Sequence, residues 1–544
     1  MQKCSNEVKY FLMGLLLALN LSIRLPVVRH EIGVDSILIH ALANSINGMG
    51  HIQWALHPLS LIGIAPISYA CGSPLLLSIS SQLTGVNIEY VILIYALILS
   101  ILGVCGSYFM AMRLKSDYRF AFLTAFAFSM APIFINITYW TASTRNLFVA
   151  LLPLFLGIMF WCIKEKTRIN EKLITGALFL VTLTLSHSMF ILLVIILFSF
   201  GFAKFIYHLA NIFYITRHKL MQDINIRIFL VLTIFLIFYS IQFSNIAFWK
   251  GIWFWATGSY NVSISSIFNL SFKLAWEYAR NWGPLIIFGL IGYAAILREK
   301  TLEINKFCIL CILLFSAPIL AQVIYMPLFL LSISSIFISF GMCYLLDRYT
   351  EHITRFRAHD GMNFLEKLPS IFIFTCLLAS IFFSIYENQF IYNPLDGTSN
   401  KRWMTEDTVE LASFLNKEGA RVFLTDDYLT GMRVYTLAGI PFLAGDFVAL
   451  FNGWLKQEDV DISEQSLVPY NVIAKPRLTL ANKPQIDQDL EVIKSQDPYS
   501  VKYKNILKKY NIEFYVTSHK LPANRLEIGH SYIYDNGREG VLYL

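Results

Sequence analysis

The sequence predicts an α-helical polytopic membrane protein whose C-terminal part is an extracytoplasmic α/β domain. Composition is the first observation behind this prediction: 56% of the 544 residues are apolar, 15% are charged, and the mean hydropathy is +0.57. Soluble proteins average about 45–50% apolar and about 25% charged residues. The second observation is a series of long apolar runs that ends near residue 386. The third is the polar segment that follows, which carries helix and strand patterns.

Eleven apolar runs are predicted to cross the membrane. A span needs roughly 17 or more residues to cross a hydrocarbon core about 30 Å thick, and several of these runs are short. The first run is too long for a cleaved signal peptide and lacks a cleavage site, so it is interpreted as a permanent helix. The runs are Tyr10–Val27, Ile88–Met112, Phe120–Ile137, Asn146–Ile163, Leu173–Ser186, Met189–Tyr207, Ile228–Ser244, Pro284–Leu297, Phe307–Gln322, Pro327–Leu346 and Pro369–Tyr386.

Positive charges predict the orientation of these spans. Cytoplasmic loops retain Lys and Arg, and alternate loops beginning with the N-terminus hold 19 of them, whereas the opposite set holds six. The N-terminus is therefore predicted inside the cell and the C-terminal domain outside. Leu59–Leu83 is apolar enough for a further span, but counting it would invert every later loop. Arg29–Asn87 is therefore interpreted as one large external loop folded back on the membrane surface.

The chain is predicted to divide into a transmembrane domain over residues 1–390 and a soluble extracytoplasmic domain over residues 391–544. All eight cysteines lie at or before Cys376, so no disulfide framework holds the second domain. Positive charge is concentrated in the membrane-flanking loops, which excludes a basic nucleic-acid-binding protein. Periodicity in the second domain predicts a helix over Thr405–Lys417, a strand over Arg421–Thr425, a helix over Val501–Tyr510, a strand over Glu513–Ser518 and a hairpin over Tyr532–Leu544.

Acidic residues on the outer side are the first candidates for chemistry. A carboxylate close to the bilayer is costly and is typically paired or functional. Asp35 lies a few residues past the first span, where the chain leaves the membrane, and Glu31 precedes it. Asp35 is either the N-cap of a helix over Ser36–Asn44 or a catalytic residue.

Basic and imidazole side chains on the same side are the second group of candidates. Arg145 is the only charge in the short loop 138–146, where it either anchors the helix at the surface or grips a lipid phosphate with its planar guanidinium. His187 interrupts two apolar runs and is either a turn residue or a donor that lines a site. Glu277 and Arg280 are three positions apart on a predicted helix, where they either pair with each other or bind substrate.

The order of these features resembles the GT-C superfamily of polytopic glycosyltransferases, which use polyprenyl-phosphate sugars. A first span leads directly into an external loop with acidic residues, here Glu31 and Asp35, and an amphipathic stretch over Pro66–Leu75 follows. Paired spans, a broken pair around Leu183–His187 and an outward α/β domain complete the pattern. The sequence looks most like archaeal or bacterial relatives of oligosaccharyltransferase catalytic subunits.

The resemblance implies inverting transfer of a sugar from a polyprenyl-phosphate carrier to a lipid, glycan or protein acceptor. The acids of the first loop, Glu31 and Asp35, would activate the acceptor while basic residues hold the leaving phosphate. Breaking a sugar–phosphate bond requires one base and one cation for the developing charge, and in this interpretation Asp35 and Arg145 would supply them. In the oligosaccharyl branch an acid also helps to bind a divalent metal. The loop Tyr139–Asn146 contains no carboxylate to support a metal, so no cofactor is assigned and a divalent metal stays an open alternative.

Two alternative functions stay open. A transporter of polyprenyl lipids or polysaccharides would have charged or broken helices near the midplane, whereas the predicted spans contain few charges. A non-catalytic GT-C-like membrane scaffold would keep the fold without the site. The loop 138–146 lacks a carboxylate, and the Arg that many members of the superfamily have ahead of the proline is missing before Pro327. These two departures keep the scaffold open as the alternative to the enzyme.

Overall fold

The computed structural model comprises a bundle of apolar helices and a C-terminal part built on one β-sheet. It describes residues 5–49, 72–164, 169–187, 190–212, 279–298, 308–313, 326–356, 368–388, 404–425, 428–440, 442–443, 500–517, 532–535 and 540–543. It also describes the isolated residues 272, 276, 488–489 and 492. The predicted span Ile228–Ser244 lies outside the described residues, as does Glu277.

The bundle begins with a helix that leads into a short connection and then into the helix that carries Asp35. Its helices are α1 (Asn6–Ile23), α2 (Val34–Met49), α3 (Gly72–Thr84), α4 (Ile88–Leu114), α5 (Tyr118–Ser129), α6 (Pro132–Ile137), α7 (Thr144–Lys164), α8 (Ile169–Ser186), α9 (Phe190–Ile212), α10 (Ile286–Arg298), α11 (Met326–Phe329), α12 (Leu331–Phe356) and α13 (Leu368–Glu387).

Four stretches in the described part of the chain are long and apolar enough to cross a membrane, which identifies a membrane protein. They are Ile88–Leu114, Thr144–Cys162, Leu331–Arg348 and Leu368–Glu387, and each coincides with one of the eleven predicted spans. The total of eleven spans stays a prediction.

One predicted span, Phe120–Ile137, is two helices in the structure. Helix α5 ends at Ser129 and α6 begins at Pro132. Proline has no N–H group and is favoured at the first position of a helix, so it ends one helix and starts the next. The break leads the chain into residues 138–143, which we call the second connection.

Helices α10 and α12 cross in backbone contact. A Cβ atom at Gly292 would overlap the carbonyl oxygen of Phe337, and one at Gly341 would overlap that of Phe288. Small residues allow apolar helices to approach closely, so dispersion contacts can hold them together where lipid removes the hydrophobic driving force.

The C-terminal part is a five-stranded mixed sheet in the order β2-β1-β3-β5-β4. Strand β1 runs parallel to β2 and β3, whereas β5 runs antiparallel to β3 and β4. The predicted helices and strands are confirmed to within one or two residues, but the sequence analysis did not predict α15 and β2. The elements are α14 (Glu406–Lys417), β1 (Val422–Thr425), α15 (Tyr428–Ala438), β2 (Phe442–Leu443), α16 (Val501–Tyr510), β3 (Ile512–Thr517), β4 (Tyr532–Asp535) and β5 (Gly540–Tyr543).

Helix α2 joins the two parts of the molecule. Ile37 and Ala41 are buried in the same apolar cluster as Met432 of α15 and the sheet residue Phe423. The amide nitrogen of Asn44 donates to the carbonyl oxygen of Thr436 at 2.6 Å. The C-terminal part therefore packs on the helix that carries Asp35.

Candidate active site

Residues 24–33, which we call the first connection, approach the second connection closely just before α2. Gly33 has a φ of +98°, a conformation that glycine adopts without strain. A Cβ atom there would lie 3.0 Å from Oγ1 of Thr141. The backbone N–H of Ile32 donates to the carbonyl oxygen of Trp140 at 3.2 Å. The two connections are therefore held together at the start of α2.

Asp35 and Arg145 form an ion pair at the place where two helices begin. Asp35 is the second residue of α2 and Arg145 is the second residue of α7, and Nη2 of Arg145 bonds Oδ2 of Asp35. The hydroxyl of Ser143 accepts from Nε of Arg145 at 3.2 Å and lies 3.5 Å from Oδ2 of Asp35. Asp35 thus lies inside the first turn of α2 and pairs with a cation. The N-cap alternative would instead place it just before the helix.

His187 lies next to this pair. It follows α8, and its ring packs against Phe148 and Phe329 with centroids 6.0 and 5.6 Å apart. Burial, together with the positive charge of Arg145, lowers the pKa of His187 to about 3. The imidazole is therefore neutral near pH 7, where it can form hydrogen bonds but adds no charge.

Glu31 has surroundings quite different from those of Asp35. Its side chain is fully buried. Its Oε2 accepts from the hydroxyl of Ser36 at 2.6 Å, and its Oε1 bonds Nδ1 of His40. The same Ser36 hydroxyl accepts from the backbone N–H of Ala142 at 2.8 Å. Glu31 is therefore connected, through one hydroxyl, to the second connection.

A chain of polar contacts extends from Glu31 to the C-terminal part, and the sequence analysis did not predict it. Oε1 of Glu89 accepts from the backbone N–H of Glu31 at 3.1 Å and lies 3.0 Å from Nδ1 of His30. The other ring nitrogen of His30 is 3.6 Å from Oε1 of Glu406, which also pairs with Arg29 at 3.0 Å.

His30 is the titratable centre of this chain. Its hydrogen bond to Glu89 raises the pKa of His30, the charges of Glu89 and Glu406 act in the same direction, and burial opposes them. A protonated His30 can therefore bridge an acid at the start of α4 and an acid of α14.

Arg280 forms its described ion pair at the end of α13. Its Nε donates to Oε2 of Glu387 at 2.6 Å, at the end of α13, so its described ion pair is with Glu387 and not with Asp35. The structure therefore groups Glu31, Asp35, Arg145 and His187, and it leaves the predicted roles of Arg280 and Glu277 as predictions.

The residues around Asp35 do not fit a divalent metal. Within the described ranges, no group of three His, Cys, Asp or Glu side chains has an arrangement that could hold a metal ion. The carboxylate of Asp35 is also engaged by Arg145.

Together these features describe a membrane protein with long apolar helices, in which an acid–arginine pair lies at the start of two helices. The structure is similar to the crystal structure of the oligosaccharyltransferase of Archaeoglobus fulgidus in complex with Zn and sulfate, with a TM-score of 0.58 and 12% identity over 93% of this chain and 68% of that chain. It is also similar to apo ArnT from Cupriavidus metallidurans, with a TM-score of 0.51 and 11% identity over 98% and 97% of the two chains.

The chain therefore shares the fold of these two proteins, which is the fold that the GT-C resemblance implies. No protein-family model matches the sequence, and no curated protein matches it either. The likeness therefore lies in the three-dimensional fold, and the roles of individual residues are argued from the site.

Proposed function

We propose that the protein is a membrane glycosyltransferase that moves a sugar from a polyprenyl-phosphate carrier to a lipid, glycan or protein acceptor, with inversion at the anomeric carbon. The observation that carries the proposal is the pairing of Asp35 with Arg145 in a chain with the GT-C fold. One residue can accept a proton and the other can bind an anion, which are the two functions that this transfer requires.

In the proposed reaction the acceptor oxygen bonds the anomeric carbon while the bond from that carbon to the phosphate oxygen breaks. The acceptor proton passes to the carboxylate of Asp35, and the electron pair leaves on the polyprenyl phosphate. Arg145 stabilises the negative charge of that phosphate through its guanidinium. His187, which is neutral near pH 7, can donate a hydrogen bond in the site without adding a positive charge.

Asp35 is the base in this proposal, and Glu31 holds the site together. The side chain of Asp35 is 43% exposed, whereas that of Glu31 is 0% exposed and bonded on both oxygens. An acceptor can therefore reach Asp35 but not Glu31. Arg280 and Glu277 are proposed as further substrate contacts on the basis of the sequence alone.

The proposed orientation has the N-terminus inside the cell and the site and residues 391–544 outside, on the evidence of the Lys and Arg distribution. Reporter fusions at Lys115, Arg168 and Asn400 test it. We expect cytoplasmic signals at the first two positions and an external signal at the third. An external signal at Lys115 would contradict the interpretation of Arg29–Asn87 as one loop.

The activity is tested with Asp35→Asn in membranes supplied with a polyprenyl-phosphate sugar. Asparagine keeps the size of the side chain but cannot accept the proton, and general-base catalysis typically contributes about 10²–10⁴-fold. We expect a loss of that size. The matched control is Asp347→Asn, because Asp347 also pairs with an arginine, Arg119, at 3.1 Å, and should retain full activity.

Two results would contradict the proposal. If Asp35→Asn transferred sugar as fast as the unchanged protein, Asp35 would not be the base. If the unchanged protein transferred none of the polyprenyl-phosphate sugars to lipid, glycan and protein acceptors, the scaffold alternative would be favoured.

A further inference from the structure

We propose that the phosphate of the lipid-linked donor displaces Asp35 from Arg145, so that the base is released only after the donor has bound. This inference rests on the proposed function and adds an order of binding to it. It starts from a conflict in the site: the residue that should accept a proton is held by the residue that should bind the phosphate.

The conflict concerns one edge of the guanidinium. Arginine presents its N–H donors in a planar fork that fits either a carboxylate or a phosphate. Here Nη2 is directed at Asp35, and Nε is bonded to the hydroxyl of Ser143. A phosphate that takes the Nε–Nη2 edge with two parallel bonds would therefore compete with the carboxylate of Asp35.

The pairing also opposes catalysis. The positive charge of Arg145 stabilises the carboxylate form of Asp35, which makes proton acceptance from an acceptor hydroxyl less favourable. When a phosphate neutralises Arg145, that stabilisation is removed and the carboxylate is free to contact the acceptor. Donor binding would thus activate the base.

The surroundings allow the exchange. The side chains of Asp35 and Arg145 are 43% and 25% exposed, and partly exposed ion pairs shift an equilibrium by only about five-fold or less. The backbone of α2 is held independently of the pair, through the bonds of the Ser36 hydroxyl to Glu31 and Ala142. Asp35 can therefore leave Arg145 by a side-chain rotation while α2 and the second connection stay in place.

The inference makes an unusual prediction for the inactive variant. Because the carboxylate of Asp35 competes with the phosphate, Asp35→Asn should bind the phosphate more tightly although it no longer transfers sugar. A short-chain polyprenyl phosphate without sugar is the probe, and its binding to the purified full-length protein in detergent is measured by calorimetry. We expect the affinity of Asp35→Asn to rise about five-fold.

A double-mutant cycle shows whether the gain acts through Arg145. Arg145→Gln should weaken binding roughly ten- to a hundred-fold because a charge-assisted contact is lost, and Asp35→Asn should bring no gain in that background. Arg145→Met, which also removes the positive charge, replaces Arg145→Gln if the glutamine variant does not fold. Asp347→Asn is the matched control, with an Arg119–Asp347 pair that is 42% and 37% exposed, and its affinity should equal that of the unchanged protein.

Each other outcome overturns the inference in a distinct way. A gain that persists in Arg145→Gln would mean that Asp35 merely repels the phosphate through space. Unchanged or weaker binding in Asp35→Asn, with weaker binding in Arg145→Gln, would disprove the exchange and leave the phosphate role of Arg145 intact. Binding that is equal in the unchanged protein and Arg145→Gln, or absent from the unchanged protein, would remove both the exchange and the proposed donor site.

Discussion

Glu31 and Asp35 are four positions apart in the chain and occupy opposite environments. Glu31 is fully buried and both of its oxygens are bonded to side chains of α2, whereas Asp35 is 43% exposed and pairs with one cation from another helix. A buried carboxylate with all its bonds made cannot change partners without leaving donors unsatisfied. An exposed one can. The comparison teaches that environment, and not residue type, separates the acid that fixes the site from the acid that can react.

The largest expected effect tests the buried side of the comparison. Glu31→Ala leaves the Ser36 hydroxyl and the His40 ring without their buried acceptor, and each unsatisfied group costs about 1–3 kcal/mol. We expect the free energy of unfolding in detergent to fall by about 2–4 kcal/mol. Asp35→Ala should lower it by less than about 1 kcal/mol, as is typical of partly exposed pairs. Equal losses in the two variants would break the comparison.

The second effect tests the cation on the exposed side. Arg145→Lys keeps the charge but loses the planar fork, and Arg145→Gln loses both. Both variants should use the lipid-linked donor less efficiently than the unchanged protein, and Arg145→Gln should be the worse of the two. Its loss relative to the unchanged protein should be about 1.5–3 kcal/mol, or roughly ten- to a hundred-fold in kcat/KM for the donor. Normal donor use by Arg145→Gln at normal protein levels would return Arg145 to the role of a membrane anchor.

The third effect concerns the hydroxyl between the two sides. Ser36→Ala removes one bond to Glu31 and one from the backbone of Ala142, so we expect a loss of about 1–2 kcal/mol in the free energy of unfolding. Ser339→Ala is the matched control, because the hydrogen bond that this buried hydroxyl makes in the described part of the chain lies within its own helix, to the carbonyl oxygen of Ser335 at 2.8 Å. A loss no larger than that of the control would show that the Ser36 hydroxyl does not support the second connection.

The smallest effect is a pH dependence at His30. The hydrogen bond to Glu89 raises the pKa of His30 above its ordinary value of 6.5 in the folded protein. The contribution of His30 to the free energy of unfolding is therefore complete below 6.5 and is lost as the pH rises through the pKa of His30 in the folded protein. His30→Gln should lower the thermal stability more at about pH 6 than at about pH 9. If the loss of thermal stability in His30→Gln grew with rising pH, the protonated His30 would not be the stabilising form.

Local signals explain how far the sequence predicts the fold. The helix Val501–Tyr510 is predicted to the residue, because Ser500 caps its start and Asn511, with a φ of 53°, ends it. The break of α5 and α6 at Pro132 also had a local signal. Helix α15 escaped prediction although it is eleven residues long, since its apolar residues follow no clear period and it is covered from two sides, by α2 and by α14.

The sequence predicts which residues belong to the candidate site better than it predicts the contacts between them. The positions of Asp35 and Arg145 follow from the order of spans, but periodicity carries no information about which distant residues pair. Arg29 and Glu406 are 377 positions apart, for example. His40 had a signal that was overlooked: it lies four positions after Ser36, on the same face of α2, and both side chains bond Glu31.

The packing of α2 against α15 has a consequence for how the protein matures. Asn44 and Thr436 are 392 positions apart, so α2 leaves the ribosome long before the segment that buries Ile37 and Ala41 exists. During that interval this apolar face has no partner from the C-terminal part. Synthesis of α15 is therefore a condition for completing the packing of α2, and a chain interrupted before it would carry Asp35 on a helix with one face uncovered.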